Sequence, residues 1–312
     1  MAAEALVVLG REGAVVPWVE SYARRLGDDI PTTAAIEADG WASALGDRSR
    51  TGDWFQFFAR ELEEASHGEL LGRWIPRLAP GLRAVATHGL IRVAHATRSL
   101  DAEVEPLRLE ELARGLGNWA GHYETLPTAA PSASSPLEPE SAVDAALARV
   151  RRVPLRERRG SIDGLMSEVG QDPSFPHVIN LLAPPADVGA FLSALTAAMT
   201  LLYLANVAQG NRHDIAFIHT LTGPSVLRLI APHLQPSSVN AALPYAWQTV
   251  AAIHAAFPDV DIPPSGSFDV ELDADPISAD DLIDRALATG DEHAIKYSEA
   301  CLRENALQPD SV

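Results

Sequence analysis

VGAFLSALTAAMTLLYLANV, residues 188–207, is an unbroken run without a charged side chain. It is just long enough to cross a bilayer. It is also rich in Ala, Thr and Ser, contains Gly189 and Asn206, and has no basic flanks. Those features favour a helix buried at the centre of an all-α protein over a membrane anchor. The rest of the chain carries the same helical pattern. Residues 5–26 read as an amphipathic helix with Trp18, Val19 and Tyr22 on its apolar side. Asp53 is in place to cap a helix through Trp54, Phe57, Phe58 and Leu62. Further helices are expected over 70–78, broken by Pro76 and Pro80, and over 81–100, 108–123 and 141–150. Downstream they are expected over 186–208, 215–222, 224–234 and 238–256. Ser278-Ala279-Asp280-Asp281 is a capping signature for a helix through Leu287, and Gly290-Asp291 opens a last helix. Residues 126–141 form a Pro/Ser-rich loop or linker, 173–186 are Pro-rich, and 258–277 are Pro/Asp-rich loop. No strand alternation and no fixed-period repeat interrupts the pattern. The expectation is an all-α, multi-helix, bundle-like fold, one globular domain over residues 1–312.

Composition narrows the partners. The chain is 47% hydrophobic and 21% charged, ordinary for a soluble globular protein. Its net charge of -18 argues against nucleic acid or an anionic membrane as partner. The basic run Arg151, Arg152, Arg156, Arg158 and Arg159 then reads as a solvated face rather than an anion site. Cys301 is the single cysteine, so no intrachain disulfide can form, which points to a reducing compartment. The start, Met1-Ala2-Ala3-Glu4, has an early acid and no basic n-region, unlike a signal peptide. A cytoplasmic protein is the expectation.

Lys296 is the one lysine among 24 basic residues. A chain that otherwise uses arginine throughout keeps an amine where guanidinium cannot serve. Only a primary amine with an adjustable pKa forms a Schiff base, acts as a base, or reacts with CO2 to give a carbamate. His293 lies three residues upstream, on the same helical face. The alternative is a surface lysine without a role. Among ten histidines, His88 and His95 form a stripe with Arg92 at i, i+4 and i+7. They stand about 10 Å apart along the axis, so one ligand plus one supporting residue is easier than two ligands on one metal. The alternative is that they cap the helix or are satisfied within the core. His219 ends an apolar turn before Gly223-Pro224, where it can face a cavity, while His213 looks exposed. Imidazoles from several helices are a common way to build an iron or zinc site. The sequence lacks Glu-x-x-His pairs, His-Glu-x-x-His, cysteine pairs, an EF-hand loop, a dinucleotide fingerprint and a Gly-x-Ser-x-Gly elbow.

Four stretches together resemble the questin oxidase family. They are His88–Ala96, Glu111–Leu116 with Trp119-Ala120, Phe217-Ile218-His219 with Thr222-Gly223-Pro224, and Asp291–Lys296 with Glu299-Ala300-Cys301. The resemblance implies an oxygenase that oxidises or opens a ring of an aromatic, anthraquinone-like polyketide in secondary metabolism, or inserts oxygen in Baeyer–Villiger fashion. It implies Fe(II) held by His88, His219, His293 and a carboxylated Lys296. His95 would be a ligand or a supporting residue, and NADPH the co-reductant of some members, with no residue here reading as its site. From its place on the His88–His95 stripe, rather than from the resemblance, Arg92 would orient a substrate oxygen or stabilise an oxyanion. A small aromatic substrate would lie among walls drawn from Trp54, Phe58, Trp119, Tyr203, Phe217 and Trp247, each of which also reads as plain core. The family pattern has an Asn-His segment ahead of the helix that here starts at Met1. This sequence has no counterpart to it. The expectation is therefore a site short of one histidine, or a chain read from an internal methionine. Two other classes remain open: a metal-free helical binding or accessory protein on the same scaffold, and a Schiff-base enzyme using Lys296.

Overall fold

A computed structural model of the protein describes residues 1–27, 30–130, 139–154, 160–260 and 277–307. Fourteen α-helices form among them and no strand; a single parallel bridge joins Glu140 and Leu182. The helices are α1 (Ala2–Val8), α2 (Glu12–Ala23), α3 (Thr51–Glu64), α4 (His67–Leu78), α5 (His88–Ala102), α6 (Pro106–Gly121) and α7 (Val143–Ala148). They continue as α8 (Ile162–Val169), α9 (Val188–Ala208), α10 (Asp214–Ser225), α11 (Leu227–Ile230), α12 (Pro236–Ala256), α13 (Ala279–Ala288) and α14 (Glu292–Leu307). The all-α reading holds.

The main core is apolar from Ile36 to Phe257. At one end Trp54, Phe57, Phe58 and Trp74 interlock with ring centroids 4.9–5.8 Å apart, mostly edge to face, the arrangement that aromatic quadrupoles favour. Three buried indoles find acceptors: Trp54 Nε1 donates to the Ala44 carbonyl at 3.2 Å, Trp119 Nε1 to that of Gly81 at 3.0 Å, and Trp247 Nε1 to that of Val178 at 2.8 Å, whereas Trp74 Nε1 has no partner among the described residues. Trp54, Phe58, Trp119, Phe217 and Trp247 are thus core residues, whereas Tyr203 is half-buried against Tyr297. α5 and α6 pack closely because Gly89 has no side chain: a Cβ there would sit 2.6 Å from the Trp119 ring. A small satellite cluster of Ala2, Ala5, Leu6 and Ile295 seats α1 on α14, beside α5.

Several local expectations are corrected. Residues 5–26 are two helices, α1 and α2, separated at Leu9-Gly10-Arg11, and α2 buries no residue, with Val19 exposed. Asp53 does not cap its own helix, which starts at Thr51. Its carboxylate instead accepts from Thr33 N, Thr33 Oγ1, Ala34 N and Arg50 Nε, tying down the preceding loop. Pro76 lies inside α4 and leaves it intact. The helix expected from residue 81 begins only at His88, after a turn. α9 is not buried all round: Leu204 and Val207 are exposed, and 39% of its most apolar window is buried. Two segments are long and apolar enough to span a membrane by composition, Val188–Ala208 and Asp214–His233, the second 72% buried in its window. They pack on each other and on α7, α12 and α14. The Ser278 cap is present, its side chain accepting from Asp281 N. Of the basic run, Arg151 pairs loosely with Asp172, and Arg152 donates to the His254 carbonyl. Arg156, Arg158, Arg159 and residues 131–138 of the Pro/Ser loop lie outside the described residues.

Candidate metal centre

His88 is the first residue of α5, and the three residues before it, Val85, Ala86 and Thr87, have φ of 49°, 50° and 68°. Left-handed backbone at non-glycine residues costs roughly 1–3 kcal/mol each and persists only when the surroundings enforce it. Here α8 enforces it. The Ala86 amide donates to Asp163 Oδ1 at 2.9 Å, and Arg83 donates to the Asp163 carbonyl and Ser167 Oγ while pairing with Glu124. The turn rests on α10 at Gly223, where a Cβ would lie 2.9 Å from Thr87 Oγ1. That hydroxyl is buried without a partner among the described residues. The Thr222-Gly223-Pro224 motif therefore brings α10, and with it His219, against the start of α5.

At that junction ring nitrogens gather. Ligand atoms of His88, His219 and His293 all lie within 4.8 Å of one another. His88 Nε2 is 3.2 Å from His219 Nε2 and 3.4 Å from Lys296 Nζ. His219 Nδ1 faces the Ile215 carbonyl one turn back at 2.6 Å, and His293 Nδ1 faces Asp291 Oδ1 at 3.1 Å. Each contact assigns the proton to Nδ1 and leaves Nε2 as a lone pair, the outer support typical of metal-binding imidazoles. Burial, reinforced by the Lys296 charge, pushes His88 down to about 3; burial and His88 push His219 well below the usual imidazole range. Both rings are neutral at neutral pH, the state that binds metal.

Lys296 is 3% exposed, and no carboxylate approaches its amine within ion-pair distance among the described residues. Burial lowers its pKa to about 8, against the raising effect of Glu292 and Asp291. The Met1 amino group is buried in the same neighbourhood. Burial lowers its pKa, Glu111 and Glu4 raise it, and Lys296 and Arg92 lower it.

The donor set itself provides the test of fit. Nitrogens about 2.0–2.1 Å from a common cation stand roughly 2.9–3.4 Å from each other. The separations of 3.2 and 3.4 Å fall in that range. Neutral imidazoles are suitable ligands, and imidazole suits iron and zinc alike. The His88–His219 pair fits a first-row divalent metal, and the His293 ligand atom lies within 4.8 Å of both.

The other two site candidates are engaged elsewhere. Arg92 makes a two-pronged pair with Glu111, both contacts at 2.7 Å. His95 Nδ1 contacts Glu4 Oε2 at 2.5 Å, and Arg98 clasps both Glu4 oxygens while reaching Glu299. Arg303 pairs with the same Glu299 oxygen at 3.1 Å. His95 thus belongs to an ionic cluster joining α1, α5 and α14. Sequence reasoning missed Glu4, Glu111 and Glu299 as partners. Arg98 lies three residues after His95, on the same face, which was the available signal; its partners are 94 and 201 residues away.

A family model described as Questin oxidase-like matches residues 19–301 of the 312. The matched span contains His88, His219, His293 and Lys296. No curated protein and no solved structure matches the chain.

Proposed function

The chain belongs to the questin oxidase-like family, which supports an oxygenase-type function, and on that premise we propose an oxidoreductase that uses O2 to oxidise or open a ring of an aromatic polyketide. In this reading His88, His219 and His293 hold a mononuclear iron(II), with Lys296, as its carbamate, supplying an anionic oxygen. Bound iron would supply activation of O2 at coordination positions the protein leaves open. NADPH is the proposed co-reductant, by family likeness alone.

The observation that carries the reading is Lys296: a buried amine with no carboxylate partner among the described residues, 3.4 Å from an imidazole nitrogen. A lysine in that setting has its neutral form favoured. The neutral amine attacks the carbon of CO2, one C=O electron pair moves to oxygen, and a proton leaves to solvent. The product is an anion that balances a cation among neutral imidazoles. Asp291 keeps the His293 proton on Nδ1, and the Ile215 carbonyl does the same for His219. Arg92, shared with Glu111, is the residue proposed to orient a substrate oxygen.

The test is metal content of the protein purified from iron-supplemented cells. One iron per chain, lost in His219→Ala and in Lys296→Arg, supports the reading. A metal-free binding protein is the competing reading. His88 Nε2–H donating to His219 Nε2 at 3.2 Å would satisfy the pair without an ion. Under that reading no metal co-purifies, and neither variant changes metal content.

A further inference from the structure

A second set of donors lies away from this centre. His67 is the first residue of α4, fixed by the capping box of Ser66 and Glu69. Asp101 is in the last turn of α5, and His233 ends the short turn Ala231–His233 that leads into α12. His233 Nε2 is 2.8 Å from Asp101 Oδ1, and the His67 and His233 rings are 5.2 Å apart and tilted by 58°. One ligand atom from each of the three residues falls within 4.8 Å of the others.

We propose that His67, Asp101 and His233 form a second metal site, taking a divalent cation of the zinc class. Two imidazoles and one carboxylate are a standard donor set for that class, with water filling the remaining positions. The side chains leave room for that water: His233 is 20% exposed and Asp101 44%. A surface ion pair between His233 and Asp101 would account for two of the three residues. It leaves His67 unexplained, since its half-buried ring makes no hydrogen bond among the described residues yet turns toward the pair. Burial and the neighbouring His233 lower the His67 pKa, which keeps its lone pair available. The chain's net charge of -18 draws cations to such a surface. A bound ion would tie together the ends of two helices and the turn before a third, and so raise stability in proportion to occupancy.

The site is independent of the His88 centre, and the experiment separates them. Chelator-treated full-length protein is titrated with Zn(II) alone, by calorimetry and by thermal melting. In a His219→Asn background, which disables the first centre, about one zinc per chain is expected, with a rise in melting temperature. Adding His67→Asn or His233→Asn should weaken that binding by more than about 100-fold, beyond the 10–100-fold typical of losing an outer-shell partner. Should His219→Asn fail to fold, the same comparison in wild type reads as a stoichiometry lower by one. Saturable zinc binding untouched by both His67→Asn and His233→Asn overturns the site, as does no saturable binding in either background.

Discussion

His88 and His95 lie seven residues apart on one helix, and the helix gives them opposite surroundings. His95 meets carboxylate and guanidinium: Glu4, Arg98 and, beyond them, Glu299 and Arg303. His88 meets only nitrogen: His219, Lys296 and, further off, His293. In the first cluster opposite charges sit in contact, so burying them is compensated. Burial works against Glu4, yet hydrogen bonds from His95 and Arg98 hold it down at about 2. In the second, each protonated group destabilises the next, so the groups shed protons. A buried polar cluster whose charges are paired braces a fold, as the first does although Glu299 Oε2 has no hydrogen-bond partner among the described residues; a cluster of neutral lone-pair donors has the chemistry to accept a cation.

Removing a cation should therefore act in opposite directions at the two places. Arg98→Met leaves Glu4 with His95 alone and the buried Glu299 with Arg303 alone, and the expected cost is about 3 kcal/mol in urea unfolding. Lys296→Met should stabilise the metal-free protein. The Lys296 pKa falls from 10.5 to about 8, so the folded state resists protonation that the unfolded chain accepts. At pH 7 that difference is on the order of 3 kcal/mol. The gain from Lys296→Met should shrink as pH rises from 8 toward 10.5, where wild type no longer carries the buried charge. A loss of stability in metal-free Lys296→Met at pH 7 would place the amine in a braced cluster like that of His95.

The same contrast explains what could be read in the residues alone. The helices announced themselves through periodicity and caps, as at Ser278 and at Gly290-Asp291. The centre was legible because its residues are rare here: a solitary lysine and histidines beside Gly-Pro or at i+3 spacing. Arg98, Glu4 and Glu299 are common residue types at unremarkable positions, and only tertiary packing unites α1, α5 and α14. His88 and His95 looked equivalent because helical spacing says which residues share a face and nothing about what that face meets. The turn at Val85–Thr87 was hidden for a related reason. Its residues have no intrinsic preference for left-handed backbone, and contacts from α8, remote in sequence, impose it.

Acid titration should divide the two clusters by pH window. His88 falls from 6.5 to about 3 through burial and the Lys296 charge, so its unfolded form binds a proton first, and stability is lost as pH drops from 6.5 toward 3. His219 and His95, both also lowered, act in the same direction. Glu4 contributes stability that is present above 4.5 and lost as pH falls through about 2, a window shared with Asp53. In denaturant unfolding followed from pH 7 to 3, His88→Asn should flatten the slope between 6.5 and 4.5, and Glu4→Gln should flatten it below 4.5. An unchanged upper slope in His88→Asn would mean that the ring is not desolvated.

The pair of Arg92 and Glu111 stands between the clusters in character as well as in place. Its geometry is two-pronged, like the clasp of Arg98 on Glu4, but its side chains are 26% and 41% exposed. Water screens such a pair, and its contribution to stability should be about 0–1 kcal/mol. Glu111→Gln should therefore leave the melting temperature nearly unchanged. It should release Arg92 from its competing carboxylate, so if Arg92 receives a substrate oxygen, KM for an aromatic ketone substrate should fall while kcat changes little. Equal KM in wild type and Glu111→Gln would assign Arg92 to bracing, alongside Arg98, and leave His88 as the one α5 residue proposed to act in the reaction.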